Sequence, residues 1–148
     1  EVFMFNNNKI ILFALSFFII LTLITGGFYI LHENKRDYYL DIQKKRIDLF
    51  FEENLDNYKT LKITETGKTP LGNYTIKGYI NNNKKLDFLA TLSSDSNYQF
   101  EDTISYPQEV GNMYKPPRSH KKFPSQIIKE KNLNEKDYEA DPPLIWGF

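Results

Sequence analysis

Residues 10–31 read IILFALSFFIILTLITGGFYIL, 22 successive positions without a charged side chain. Lys9 bounds this apolar run on one side, and His32 and Glu33 bound it on the other. At about 1.5 Å per helical residue the run extends roughly 33 Å, enough to cross a hydrocarbon core of about 30 Å. The run therefore predicts a signal-like or transmembrane helix. Residues 1–9 are its N-terminal flank, and residues 1–3, which precede Met4, are set aside as a possible added segment.

The start of the chain has the layout of a secretory signal, with NNNK at residues 6–9 before the apolar run. The sequence ITGG at residues 24–27 stands where bacterial lipoproteins carry a cleavage box that ends in cysteine. Gly27 occupies that lipid-attachment position, and this chain has no cysteine to acylate. Two interpretations stay open: the natural residue at position 27 is cysteine, or the segment remains uncleaved as a membrane helix.

The membrane orientation is argued from two opposing signals. One cation precedes the run and several follow it, which by the positive-inside rule would leave the remaining chain in the cytoplasm. The signal-like start favours export, and the later cations alternate with acidic residues on a predicted helix. We therefore expect a cell-membrane protein with its domain on the extracytoplasmic face, with the cytoplasmic orientation left open.

Composition limits the remaining chain to one modest domain. About 115 residues follow the run, enough for a single core. The 19 basic and 19 acidic side chains cancel, and this neutrality argues against a nucleic-acid partner. Without cysteine, disulfides and thiolate chemistry are excluded for this chain.

Residues 35–106 predict a helix followed by an antiparallel sheet. Apolar residues recur at helical spacing over 35–58, with a short break from the apolar run expected near Gly26 and Gly27 or at residues 32–34. Period-two alternation follows over 61–64, 74–80 and 86–92, and Tyr98, Phe100 and Ile104 mark a fourth strand. We expect an α+β fold in which one long helix packs on a three- to four-stranded meander.

Residues 107–148 form a Pro-rich extension with short helices and an irregular tail. A helix is expected at 125–131 with Ser125 as its N-cap, and a turn at 134–138.

The sequence contains no constellation typical of catalysis. Its two histidines lack partners at ligand spacing, and no phosphate-binding glycine loop or Gly-x-Ser-x-Gly elbow occurs. Adjacent carboxylates such as Glu52 and Glu53, or Glu101 and Asp102, are more typical of solvated faces than of a glycosidase pair. We therefore predict no catalytic residue, cofactor or metal, and a non-enzymatic protein. A membrane-tethered hydrolase that uses Glu101 or Asp102 is the least favoured alternative.

Two segments are candidate binding elements. The basic run of Lys115, Arg118, Lys121 and Lys122 could bind an acidic partner or anionic lipid, or could be a solvated loop. The tail carries Leu144, Ile145, Trp146 and Phe148, large apolar groups of the kind that anchor interfaces. The alternative for the tail is that it folds back and completes the core.

The motifs PLGNY at 70–74, IKGYINN at 76–82 and LDF at 86–88 resemble a family of small Gram-positive lipoproteins of unknown function. Its members often occur as tandem copies in staphylococci, and the similarity extends from the signal segment to about Tyr106 and through the DPP at 141–143. Some members act as immunity lipoproteins against a lipase toxin exported by the type VII secretion system. The resemblance implies attachment through cysteine at position 27, where this chain has glycine.

Two functions from different classes follow. The leading hypothesis is a membrane-anchored immunity protein that binds and neutralises a secreted lipase-type toxin. The alternative is an envelope accessory or structural protein that binds lipid or cell wall. The partner's identity and the oligomeric state are left open.

Overall fold

The structure, a computed structural model, describes residues 2–117 and 120–143, with side chains described from residue 8 onward. It divides into two compact units, the first ending at Lys35 and the second beginning at Arg36. Helix α1 covers Val2–Asn54 and contributes to both units. The predicted α+β class is confirmed: the long helix is followed by a four-stranded antiparallel sheet and short C-terminal helices.

In the first unit, the apolar run is helical throughout. The predicted break at Gly26 and Gly27 or at residues 32–34 is wrong, because α1 is uninterrupted there. Two glycines cost about 1 kcal/mol each in a helix, well below the roughly 3 kcal/mol of a proline, so they do not by themselves interrupt a long helix. Within the described chain, one helix is long and apolar enough to cross a membrane by length and composition. Its apolar side chains are exposed, Phe13 to 78%.

In the second unit the four strands form a meander in the order β1-β2-β3-β4. They are β1 (Leu61–Lys68), β2 (Tyr74–Ile80), β3 (Asp87–Leu92) and β4 (Ile104–Ser105). One face of the sheet carries Ile76, Phe88 and Ala90, all buried against the core. A register shift between Ile63 and Glu65 interrupts the alternation of β1. One face of the sheet is therefore covered and the other is open.

The β1–β2 turn fixes the position of one leucine. The Gly72 N–H donates to the Thr69 carbonyl at 2.9 Å, and Pro70 stands at the second turn position, where its fixed φ is favourable. Gly72 has φ +87°, the left-handed conformation that a three-residue hairpin loop requires. Leu71 therefore occupies the apex, where it is 90% exposed.

The fourth strand is much shorter than the pattern of Tyr98, Phe100 and Ile104 predicted. Tyr98 has a positive φ of 59°, which ends extended structure. The Phe100 N–H donates to the side chain of Gln43 on α1 at 2.8 Å instead of to a strand. Pairing with β3 begins only at Ile104.

The core lies between α1 and the sheet. The Phe50 ring packs edge-on against Phe100 at 5.5 Å between centroids, and Phe51 packs against Phe88 at 5.2 Å. The C-terminal extension adds α2 (Gln108–Gly111), α3 (Pro124–Glu130) and a 3-10 turn at Glu135–Asp137. A second apolar cluster joins Leu49 of α1 to Ile127 and Ile128 of α3. Helix α1 is thereby packed on two sides.

The N-terminus of α3 differs from the prediction. The helix begins at Pro124, a residue favoured at the first helical position because it needs no N–H partner there. The Phe123 N–H donates to Gln126 Oε1 at 3.1 Å. Ser125 is not the N-cap; its hydroxyl donates to Glu101 at 2.9 Å.

Candidate functional site

A buried polar cluster lies on the α1 face that meets the C-terminal extension. Gln43 and Arg46 are three residues apart on the helix, so they share a face, and both are buried. Gln43 Nε2 donates to Gln99 Oε1 at 2.7 Å. Gln99 Nε2 in turn donates to the Ala140 carbonyl at 2.9 Å. The cluster therefore ties the helix to two distant segments of chain.

Arg46 is the centre of this cluster. Its Nε donates to the Phe100 carbonyl at 2.8 Å and its Nη1 to the Tyr138 carbonyl at 3.1 Å, while Nη2 pairs with Glu101. Burial lowers the pKa of Arg46, and the carboxylate of Glu101 opposes that shift. Through these contacts the guanidinium joins α1 to Phe100, Glu101 and Tyr138, more than 50 residues further along the chain.

Beside it, residues 139–143 form a segment without regular secondary structure that contacts the sheet through Pro143. The Tyr74 hydroxyl donates to the Pro143 carbonyl at 3.0 Å. A cleft of about 640 Å³ lies along this segment, and Arg46 is part of its wall. Its carboxylates are those of Asp95, Glu101, Glu135, Glu139 and Asp141.

The open face of the sheet carries a second depression, here called the sheet groove. It is about 610 Å³ in volume and its lining includes Glu65, Gly67, Thr75, Lys77, Leu89 and Ser105. These residues are cross-strand neighbours: Glu65 faces Lys77, Gly67 faces Thr75, and Leu89 faces Ser105. Gly67 contributes no side chain, which leaves space between its neighbours. Leu89 is 41% exposed, so an apolar side chain lies among polar and charged ones.

Of the described members of the predicted basic run, Lys115 and Lys122 bind the C-terminal end of α1, and Lys121 contacts tyrosine rings beside it. Lys115 Nζ donates to the carbonyls of Glu52 and Glu53 at 3.1 and 2.8 Å, where a cation complements the helix dipole. Lys121 Nζ lies 4.3 Å from the Tyr114 ring centroid. Lys122 pairs with Glu130 at 2.7 Å. The structure thus brings these three lysines together around a helix end.

One carboxylate of each predicted pair, Glu53 or Glu101, binds side chains of the same chain. Glu53 contacts Lys131 at 2.9 Å and Lys122 at 3.4 Å, and the hydrogen bond from Lys131 is the main cause of its lowered pKa. Glu101 accepts from Arg46 and from Ser125. Among residues 8–117 and 120–143, no three histidine or carboxylate side chains group as a metal site would require.

The remaining predicted positions fall in two places. Gly27 lies inside α1, and a Cβ added there would meet no atom within 4 Å, so the helix has room for a cysteine at this position. Arg118 and the tail residues Leu144, Ile145, Trp146 and Phe148 lie outside the described residues.

Comparison with known proteins places this fold in a family. A family model described as "Protein of unknown function (DUF1433)" matches residues 39–129, from Tyr39 on α1 to within α3. The chain belongs to the DUF1433 family. No curated protein matches this DUF1433 chain. A solution NMR structure of the folded 79-residue fragment of Lin0334 from Listeria innocua is similar, with a TM-score of 0.51 and 26% identity. The similarity covers 63% of this chain and 94% of that fragment.

The predicted resemblance to a small bacterial family without known function is thus confirmed at this level. Sequence reasoning missed the cluster of Gln43 and Arg46. Its signal was present, because Gln43 and Arg46 continue the helical spacing of three and four residues between the apolar positions Tyr39 and Phe50. The sheet groove had a weaker signal, a glycine at position 67 shortly after the alternating residues 61–64.

Proposed function

We propose that this DUF1433 protein is a membrane-anchored binding protein on the outer face of the cell membrane, and that it neutralises a secreted lipase-type toxin. The observation that carries a binding role is the sheet groove, an indented and partly apolar surface on the face of the sheet opposite the core. An immunity protein needs an anchor, a rigid scaffold and a complementary surface. The anchor would be the apolar helix, and the toxin class comes from the resemblance described above.

The composition of the sheet groove suits a protein partner. Leu89 provides an apolar centre, and Glu65, Lys77 and Asp87 place both signs of charge around it. Protein interfaces combine an apolar centre with a polar rim, and mixed charges fix the orientation of the partner. Strand pairing holds these side chains on a rigid element, so little order has to be gained on binding.

The alternative, an envelope accessory protein that binds lipid through its basic run, receives less support. The ammonium groups of Lys115 and Lys122 are bound to carbonyls and carboxylates of the same chain. Recruiting them to lipid headgroups would require breaking these contacts. A hydrolase that uses Glu101 would likewise have to release it from Arg46 and Ser125.

The test uses the full chain in nanodiscs and a purified secreted lipase-type toxin. We expect binding at micromolar concentration or below, and a loss of lipase activity in proportion to the complex formed. An absence of binding at micromolar concentration together with undiminished lipase activity would exclude this function.

A matched pair of variants tests the binding surface. Leu89→Asp places a charge at the centre of the groove, and we expect it to weaken toxin binding roughly tenfold or more, as at interface hot spots. Asn82→Asp places the same charge on an exposed turn outside the groove, and it should leave toxin affinity unchanged. Equal affinities for both variants and the wild type would exclude the sheet groove as the contact surface.

A further inference from the structure

One end of the second unit, here called the junction end, is defined by Arg36, Tyr39, Tyr74 and the turn at residues 69–73. Arg36 directly follows the last residue of the first unit. The Tyr39 ring packs edge-on against Tyr74, the first residue of β2, at 6.2 Å between centroids. The β1–β2 turn ends at the residue before Tyr74. The chain connection to the apolar helix and the β1–β2 turn therefore lie at the same end of the unit.

The basic run lies at the other end. From Arg36 to Asn54, α1 advances about 27 Å at its usual rise per residue. Lys115 binds the carbonyls at that far end of the helix. The β2–β3 turn is also at this far end, because it follows Ile80, and β2 runs from Tyr74 at the junction end to Ile80.

The junction end presents exposed apolar side chains. In the described part of the second unit, the exposed large apolar side chains are Tyr38, Leu71 and Leu89. Tyr38 is next to Tyr39 on the helix, and Leu71 is the apex of the β1–β2 turn, so two of the three are at this end. The turn sequence from Lys68 to Asn73 contains no acidic residue that would be repelled by a lipid surface.

An isolated exposed leucine is common on protein surfaces, so exposure alone assigns nothing. Leu71 differs from an ordinary exposed leucine in its position at the junction end. Leu71 precedes Tyr74 by three residues, a chain length of about 10 Å. In a membrane-anchored chain the junction end is the end of the second unit that is nearest in sequence to the bilayer, and tethering raises the effective concentration of that surface.

We propose that the junction end of the second unit docks on the lipid bilayer and that Leu71 inserts into its headgroup region. This proposal rests on the membrane anchoring in the proposed function, and is independent of the toxin. The turn satisfies its own backbone through the Thr69–Gly72 and Thr69–Asn73 bonds, so insertion leaves few polar groups without partners. Full removal of a leucine side chain from water is worth roughly a ten- to hundredfold preference, so partial removal in the headgroup region favours the docked state by about tenfold. Tyr38 is of the residue type that favours the headgroup level.

The experiment uses single-cysteine labels, because the chain contains no other cysteine. Full-length Leu71→Cys and Lys84→Cys are labelled with the fluorophore NBD and reconstituted into phosphatidylcholine–phosphatidylglycerol vesicles, with or without brominated acyl chains. Lys84 is the matched control, an exposed residue in the β2–β3 turn at the opposite end of the sheet. We expect the Leu71 label to shift to shorter wavelength and to be quenched by brominated lipid, with neither effect at Lys84. Equal, unquenched emission from both labels would overturn the proposal.

A third label separates the two proposals. Ile20→Cys lies within the apolar run and should be quenched strongly in the same vesicles. Quenching at Ile20 without quenching at Leu71 would overturn only the docking of the junction end. No quenching at Ile20 would overturn the anchor and the docking together. The toxin assay has its own readout, so a failure there leaves these results unaffected.

Discussion

The side chain of Asn54, the last residue of α1, pairs with the backbone of Lys122 in both directions. Asn54 Nδ2 donates to the Lys122 carbonyl at 2.9 Å, and the Lys122 N–H donates to Asn54 Oδ1 at 2.8 Å. An amide side chain offers the same donor and acceptor as a peptide group, so these two hydrogen bonds resemble the backbone pairing between neighbouring β-strands. Asn54 Nδ2 also donates to the Phe50 carbonyl at 2.8 Å, within the last turn of the helix. One buried residue thus joins the helix end to the segment before α3.

We expect Asn54→Asp to destabilise the second unit by about 1–3 kcal/mol, the cost of leaving buried hydrogen-bonding groups without partners. The substitution keeps the shape but replaces the donor with a second acceptor, which faces the Lys122 carbonyl. It also adds a negative charge at the negative end of a helix. Urea denaturation followed by tyrosine fluorescence would measure the change.

Asn82→Asp is the control for this substitution. Asn82 is exposed, and its positive φ of 53° is one that aspartate also adopts. We expect a change of at most about 0.5 kcal/mol, as for most surface substitutions. A loss of equal size at both positions would show that the Asn54 pairing contributes nothing specific.

The sheet was largely predictable because strand alternation is a local signal. The even positions from Tyr74 to Ile80 face the core, as their apolar character indicates. The extent of the fourth strand was not predictable, because Phe100 bonds to Gln43, which is 57 residues away in sequence. The cap of α3 was misassigned for a similar reason. Ser125 is a good cap by residue type, but Glu101 binds its hydroxyl.

The candidate site was less predictable than the fold. Lys115 and Lys122 stand in a stretch without acids, which suggested a free basic surface, and yet their partners are distant in sequence. Lys115 binds a carbonyl 62 residues earlier, a contact that charge patterning cannot reveal. The sheet groove depends on the register between neighbouring strands. The sequence does not give this register, in which Gly67 lies opposite Thr75.

Arg46→Met should destabilise the protein by about 3 kcal/mol, because it leaves two carbonyls without their donor and Glu101 without its cationic partner. Methionine fills much of the same volume, so the loss would reflect the polar contacts. Lys45→Met is the control: Lys45 is 51% exposed and pairs with Asp41 at 3.5 Å, an interaction of the kind that contributes about 0.5 kcal/mol. Chemical denaturation of both variants would measure the difference. A loss below 1 kcal/mol for Arg46→Met would contradict the central role given to this guanidinium.

Gly78→Ala adds a single methyl group, and we expect it to lower the stability of the second unit strongly. A Cβ at Gly78 would lie 2.2 Å from the Lys62 carbonyl oxygen and 2.9 Å from the Phe88 ring, so β1 or the ring must move. We expect a loss of about 3 kcal/mol, at the upper end for overpacking. Gly111→Ala offers a matched comparison, because the nearest atom there is 3.6 Å away and the residue is helical. That variant should be neutral or up to about 1 kcal/mol more stable. Thermal unfolding curves of the two variants would separate the predictions.

Because the pKa of Glu53 is lowered, we expect the free energy of unfolding of the second unit to decrease at acidic pH. Its pKa in the folded chain is lowered from the ordinary value of 4.5, first by the hydrogen bond from Lys131 and then by Lys122. A lowered folded pKa means that the unfolded chain binds the proton more readily, so the free energy of unfolding rises with pH in this range. The contribution of Glu53 is therefore fully present above pH 4.5 and is lost as the pH falls through the folded pKa.

The test compares denaturation midpoints from pH 7 to pH 3 for the wild type, Glu53→Gln and Glu52→Gln. Glu53→Gln should lower stability at neutral pH by up to about 1 kcal/mol, the range of partly exposed ion pairs, and its difference from the wild type should vanish in acid. Glu52 is the neighbouring exposed carboxylate, and its replacement should retain the acid-dependent loss. A Glu53→Gln difference that stays constant down to pH 3 would show that packing, and not ionisation, accounts for the effect of this residue.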